Sequence, residues 1–285
     1  MSMHTDTHAA HAPRLQGRRI LVVGAGQREA APGEGLVGNG RAIALVLARH
    51  GAAVACADRS GPSAEQTCAL IRAEGGVAHA LVADAEEPAA IAAMVGQSAE
   101  RLGGLDGVVA VVGVTCGTPL DAMTAEEWDR VYALNVRSHM LVAQHALRRM
   151  ESGGSMVLLS SLAALRNSSR NPAYETTKAA QVSLARSIAM AGQAKTIRCN
   201  SVLPGLIDTP MGRDETARRP ERLRSPLPFG RQGTPWEVAN ACLFLISGES
   251  SYVNGHALVV DGGLSAGITS GGAYPLAVDS ETIEK

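Results

Sequence analysis

With 285 residues, 46% of them hydrophobic and 19% charged, the chain has ample material for a globular core. Its net charge of −1 gives no electrostatic case for nucleic acid or an anionic membrane as a partner. No uncharged apolar run approaches the roughly 18 residues of a membrane span, and "MSMHTDTHAAHAPRLQGRR" lacks the apolar core of a signal peptide, so a cytoplasmic protein is expected.

Apolar, β-rich runs alternate with stretches of helical period along the chain. Arg19 to Val23, Ala53 to Ala57, Val77 to Ala83, Gly107 to Val112, Ser155 to Ser160, Thr196 to Val202 and Ala257 to Val260 read as seven strands. Several are apolar on both faces, as in a parallel sheet covered by helices. Between them, Thr124 with Glu127 makes a capping box, and Asn171 with Pro172 makes an N-cap followed by proline at the first helical position. Thr234, Pro235 and Glu237 combine both devices. The alternation predicts an α/β protein: a single-domain, doubly wound Rossmann fold whose seven-stranded parallel sheet carries helices on both faces. One domain is expected over residues 15–265, with a flexible tail at 1–14 and a glycine-rich extension at 266–285.

Five cysteines without a Cys-x-x-Cys motif argue against a disulfide framework or a zinc site. They are expected as small reduced core residues, with Cys116 placed where it could line a pocket. His4, His8 and His11 have no carboxylate or cysteine partner nearby, and no metal is expected.

The first strand ends at Gly24, and a helix with inward residues Ile43, Ala44, Leu47 and Ala48 starts near Gly40. Its free N–H groups aim at the crevice beyond the strand ends, a place that suits a pyrophosphate. Asp58, at the end of the second strand, can accept both hydrogen bonds of an adenosine ribose, but it also reads as a plain turn residue. Asp84, after the third strand, is ambiguous in the same way.

"NPAYETTKAA" puts Tyr174 and Lys178 on one helix face, in a chain with four tyrosines and three lysines. An ammonium about 4 Å from a phenol, at an effective dielectric near 20, is worth roughly 4 kcal/mol and lowers the phenol pKa by up to about three units. The first helical turn also favours an anion. Tyr174 is therefore a candidate general acid and base.

With that pair, the glycine turn and the strand order, the chain resembles the classical short-chain dehydrogenase/reductase family over nearly its full length. The resemblance implies hydride transfer between a nicotinamide and a secondary alcohol or ketone. It assigns Tyr174 to proton exchange, Lys178 to lowering the tyrosine pKa and holding the ribose, Ser161 in "LLSSLAAL" to the substrate oxygen, and Asn135 in "ALNVRSHM" to a water-mediated proton path. Cofactor contacts are expected from Gly24, Gly38, Asn39 and Gly40, from Asp58, Arg59, Asp84 and Gly113, from Tyr174 and Lys178, and from Pro204, Gly205, Ile207 and Thr209 in "CNSVLPGLIDTPM". Asp58 favours NAD, with NADP possible because Arg59 and Arg28 stand near.

Two departures stand out. "AVVG" (Ala110 to Gly113) replaces the family's Asn-Asn-Ala-Gly, so hydrogen bonds made there by asparagine must be made otherwise or lost. The glycine motif is stretched by ten residues, and "QREAAPGEGL" reads as an excursion turned by Gly33 and Gly35 that projects from the cofactor mouth. Alternatives to a dehydrogenase are a non-catalytic dinucleotide-binding sensor or scaffold, and an NAD-using lyase or epimerase. "MGRDETARRPERLRSPLPFGR", with six arginines against three acids, suits either an anionic substrate or, more readily, a solvated helix. It and "RNSSRN" lean toward a polar small-molecule substrate. Met140, Leu141, Val182, Leu184 and Ile188 spread apolar surface over more than one helix face, and a homo-oligomer is expected, a tetramer or else a dimer.

Overall fold

The computed structural model describes residues 13–28, 35–167, 170–218 and 227–267. Strands β1 (Arg19–Val23), β2 (Ala53–Asp58), β3 (Val77–Val82), β4 (Gly107–Ala110), β5 (Ser155–Leu159), β6 (Arg198–Pro204) and β7 (Ala257–Val260) form one parallel sheet in the order β3-β2-β1-β4-β5-β6-β7. The order reverses between β1 and β4, and loops leaving in opposite directions open a crevice there.

The helices are α1 (Asn39–Arg49), α2 (Gly61–Ala73), α3 (Pro88–Leu102), α4 (Ala125–Tyr132), α5 (Ser138–Arg149), α6 (Pro172–Ala191), α7 (Pro210–Arg218) and α8 (Pro235–Ile246). Strand alternation divides the core into two layers. Ile20, Val22, Val54 and Cys56 pack with Ile43 and Leu47 of α1 and Leu243 of α8. Leu21, Val23, Ala55 and Ala57 pack with Ile91 of α3, Val142 of α5 and Ile188 of α6. Each such fully buried Leu or Ile contributes about 2 kcal/mol.

Several expectations change at their edges. β4 stops at Ala110, because beyond Val111, whose N–H still reaches Val23 O at 2.8 Å, the chain turns toward the crevice. β6 starts at Arg198, since Thr196 takes a left-handed φ of 50° in the turn out of α6. Thr124 caps α4 (Glu127 N to Oγ1, 3.2 Å), but Glu127 accepts the Thr118 hydroxyl at 2.9 Å, so only half of the capping box forms. Asn171 caps α6 by position alone, its side chain being turned to Thr115 and Cys116. Thr234 and Glu237 make the full box, and the Arg231 guanidinium holds the Glu237 carboxyl down at about 2.

Four cysteines are buried and Cys116 is half-buried, all free. Of the apolar residues assigned to a second helix face, Ile188 is in the core and Leu141 and Leu184 pack against it, while Met140 stays exposed. Residues 1–12 with the three tail histidines, the excursion at 29–34 with Gly33, residues 168–169 of "RNSSRN", residues 219–226 and the extension beyond 267 lie outside the described residues. No helix among the described residues is long and apolar enough to cross a membrane.

Candidate active site

The crevice opens into a cleft of about 710 Å³ that runs from β1, β2 and α1 across β4 to β5, α6, β6 and α7. Every cofactor residue expected from the sequence lines it: Gly24, Gly38, Asn39 and Gly40; Asp58, Arg59, Asp84 and Gly113; Tyr174 and Lys178; Pro204, Gly205, Ile207 and Thr209. Ser161 lines it too. Buried Asn135 lies just behind Gly113, where an added Cβ would come 3.5 Å from its Oδ1.

The glycines act in different ways. Gly24 has a φ of 86° and approaches Val112 so closely that a Cβ would sit 3.1 Å from its backbone nitrogen. At Gly40 a Cβ would overlap the carbonyl oxygen of Gly24, so this residue lets α1 close onto β1. Gly26, which the sequence reading passed over, is as constrained: a Cβ there would lie 2.7 Å from Asp58 Oδ2. Its N–H donates to that oxygen at 3.0 Å, while Asp58 Oδ1 accepts from Ser60 N–H at 3.0 Å. Asp58 is therefore a turn-holding residue that also lines the cleft.

Gln27, read as the start of the excursion, instead closes it. Its Oε1 accepts from Gly38 N–H at 3.1 Å and its Nε2 donates to Leu36 O at 3.3 Å, which brings the two ends of the extra segment together. From below, the Ser63 hydroxyl accepts from Gln27 N–H at 2.8 Å, and the Thr67 hydroxyl donates to Ala25 O at 2.9 Å. Buried Arg41 donates to Thr67 at 3.0 Å and to Gln66 at 2.8 Å, tying α2 to the turn. A glycine scan could not show this polar support, since Ser63, Thr67 and Arg41 carry no motif.

Two features fit an anionic dinucleotide. No side chain caps α1, whose N-terminus opens on the cleft, and Asn39 Oδ1 is buried with no partner among the described residues.

At the other end, α6 presents Tyr174 and Lys178. The ammonium stands 5.4 Å from the phenol ring centre and is nearly fully buried. It donates to Leu159 O at 2.8 Å and Gln181 Oε1 at 3.1 Å, and burial pushes its pKa from 10.5 down to about 7. Its charge, and with it the pull on the phenol, is thus fullest below neutrality. Of the serine pair, the Ser160 hydroxyl is used on Lys178 O at 2.7 Å, while Ser161 starts a short turn where its Oγ accepts from Ala163 N–H at 3.1 Å.

Asn135 lies in a single π-turn (Ala133–Arg137) between α4 and α5, where Ser138 N–H reaches back five residues to Ala133 O. Its amide brackets the loop after β4, Oδ1 accepting from Val114 N–H at 2.8 Å and Nδ2 donating to Val114 O at 2.9 Å. This bracket ties down the loop in which "AVVG" has no asparagine. Its main-chain carbonyl accepts from Gln181 Nε2 at 2.6 Å.

A family profile described as enoyl-(acyl carrier protein) reductase matches residues 35–265. The chain is 35% identical to L-rhamnose 1-dehydrogenase (NAD(P)(+)) of Sphingomonas sp. over 258 residues, 88% of this chain and 97% of that one. It is 35% identical to cyclopentanol dehydrogenase of Comamonas testosteroni over 257 residues, 89% of this chain and 99% of that one. The chain belongs to the short-chain dehydrogenase/reductase family. A short-chain dehydrogenase of Burkholderia cenocepacia J2315, solved in complex with NADP, superposes with a TM-score of 0.79 at 32% identity, covering 87% of this chain and 98% of that one. As a short-chain dehydrogenase/reductase the protein is an oxidoreductase that moves a hydride between a nicotinamide cofactor and a secondary alcohol or ketone.

Proposed function

We propose that the protein is an NAD-preferring secondary-alcohol dehydrogenase in which Tyr174 exchanges the substrate proton. The observation that carries this reading is the pairing of Tyr174, at the cleft wall, with a buried Lys178 whose ammonium is aimed by Leu159 O and Gln181. The nicotinamide, when bound, accepts or supplies the hydride. Ser161 hydrogen-bonds the substrate oxygen, Tyr174 takes or returns its proton, and Lys178 favours the phenolate and holds the ribose. The N-terminus of α1 with Gly24, Gly38, Asn39 and Gly40 receives the pyrophosphate. Asp58, Arg59 and Asp84 border the adenosine end, Gly113 the middle, and Pro204, Gly205, Ile207 and Thr209 the nicotinamide. Asn135 serves the centre by holding its loop.

NAD is favoured because the Asp58 carboxylate, fixed by two N–H groups at the end of β2, would repel a 2′-phosphate, whereas Arg59 is exposed and Arg28 is paired with Asp214 at 3.6 Å. A polar substrate fits best; of the lid arginines that are described, Arg213 meets Asp208, Arg218 meets Glu215 and Arg231 meets Glu237. A cytoplasmic homotetramer, with residues 15–265 as the folded domain, completes the reading. Light scattering that finds a single 29.5 kDa species at micromolar concentration would remove the tetramer from it.

The test is absorbance at 340 nm across secondary alcohols and ketones with both cofactors, in the wild type and in Tyr174→Phe. The variant should keep cofactor binding and lose on the order of 100-fold or more in turnover. Full turnover in Tyr174→Phe would remove the tyrosine from the chemistry, and no nicotinamide-linked turnover in the wild type would end the reading.

A further inference from the structure

Between α5 and α6 the core holds polar groups that the chemistry above does not use. Gln181 and His139 are each at most 1% exposed, among Val142, Ala143 and Ala185. An amide and an imidazole placed there are costly unless their hydrogen bonds are complete. They form a chain that starts at the active-site lysine.

The direction of every bond in the chain follows from chemistry. Gln181 Oε1 faces the Lys178 ammonium, which can only donate, at 3.1 Å. Gln181 Nε2 faces the Asn135 carbonyl, which can only accept, at 2.6 Å, so the amide has one permitted orientation. The same NH₂ lies 3.2 Å from His139 Nε2, which must therefore be the bare, accepting nitrogen. The ring proton then sits on Nδ1, 3.1 Å from Ser138 Oγ, and the Ser138 hydroxyl passes its own proton to Leu134 O. Burial first, and the Lys178 charge second, push the His139 pKa down to about 3, against a weaker pull from the Ala110 carbonyl, so the ring stays neutral. Lys178 on α6 and His139 on α5 are the titratable groups bonded to Gln181, with Tyr174 one turn back on α6 facing the same ammonium. β5 contributes the Leu159 carbonyl and β4 that of Ala110.

We propose that Gln181 is a positioning residue of the catalytic centre: neutral His139 and the π-turn carbonyl of Asn135 fix its amide, and the amide fixes the Lys178 ammonium. Two of the three ammonium N–H groups are thereby committed inward, to Leu159 and Gln181, and the third is left for the cleft that Lys178 lines. The π-turn takes part by offering its carbonyl to the neighbouring helix. The proposal rests on the reading that Lys178 serves Tyr174.

Gln181→Met keeps the length and bulk of the side chain and removes every hydrogen bond. Without its acceptor the buried ammonium is less favoured, so Lys178 loses its proton at lower pH and the tyrosine becomes a weaker acid. The rising limb of kcat/KM for alcohol oxidation should move to higher pH by about half to one unit, and kcat should fall about tenfold, with the alcohol KM little changed. His139→Leu, which removes only the group that helps orient the amide, should shift the limb in the same direction by less. A purely structural role would lower the melting temperature of both variants and leave the limb in place, and that result overturns the proposal. Should either variant fail to fold, ¹⁵N-histidine spectra of the wild type decide: His139 must remain neutral, with its proton on Nδ1, at pH 5.5, and a ring that titrates near 6.5 refutes the arrangement. Wild-type turnover and the Tyr174→Phe loss are measured first, so that failure of the dehydrogenase reading is seen separately from failure of this one.

Discussion

Lys178 makes the stability of the cofactor-free protein depend on pH in a way one substitution can isolate. Its side chain is 3% exposed, and burial lowers its pKa from 10.5 to about 7. Between those values the unfolded chain binds a proton that the folded chain does not, so stability rises with pH there, and below about pH 7 both states are protonated and the contribution is flat. The slope is about 1.4 kcal/mol per pH unit, which gives roughly 3 kcal/mol between pH 7 and pH 9. Lys178→Met retains the apolar stem and carries no proton, so it should lack this slope. The lost bonds to Leu159 O and Gln181 lower the stability of the variant by an amount that does not vary with pH. The quantity to measure is the wild-type minus variant unfolding free energy, from urea titrations of cofactor-free protein at pH 6, 7, 8 and 9 and one protein concentration. Titrating groups that Lys178 does not touch cancel in that difference, and making the comparison in a Tyr174→Phe background removes the phenol that it does touch. It should be level from pH 6 to about 7 and then climb in favour of the wild type by roughly 3 kcal/mol by pH 9. Parallel curves would mean that Lys178 keeps an ordinary pKa and that its burial does not govern its charge.

Asp58→Ala should reduce the preference for NAD in kcat/KM, and should also cost about 1 kcal/mol because Gly26 N–H and Ser60 N–H lose their acceptor. An unchanged cofactor ratio would make Asp58 a turn residue only. Gly40→Ala drives a methyl into the Gly24 carbonyl, so it should unfold the protein or abolish NADH binding, as read by melting temperature and fluorescence titration; a normal variant would mean that α1 can move off β1 freely.

The sheet was legible because buried parallel strands are nearly continuous apolar runs, and β7 begins and ends where its run does. Strand ends were less so: β4 and β6 stop where loops turn toward the cleft, which depends on neighbours far away in sequence. Tyr174, Lys178 and Ser161 could be found by spacing along the chain. Gln181 and His139 could not, because a glutamine and a histidine on separate helices gain meaning only when α5 and α6 are packed together. The one available signal was that each falls in helical register with apolar inward residues, Val142 and Ala143 after His139, Ala185 and Ile188 after Gln181. Glu127 and Asn171 were misjudged for a related reason, since each had a tertiary partner, Thr118 and Thr115 respectively, that took its side chain from the cap.

Gln27 has a consequence for how the family's shared glycine turn tolerates extra chain. By bonding both Leu36 and Gly38 it joins the sequence before and after the additional residues, so the core meets a turn of ordinary length whatever is inserted between. The entropic cost of a longer closed segment then grows only with the logarithm of its length, about 0.6 kcal/mol per doubling. This position is accordingly a natural splice site, where selection or an engineer can add or exchange sequence at the rim of the cleft without asking the fold to change.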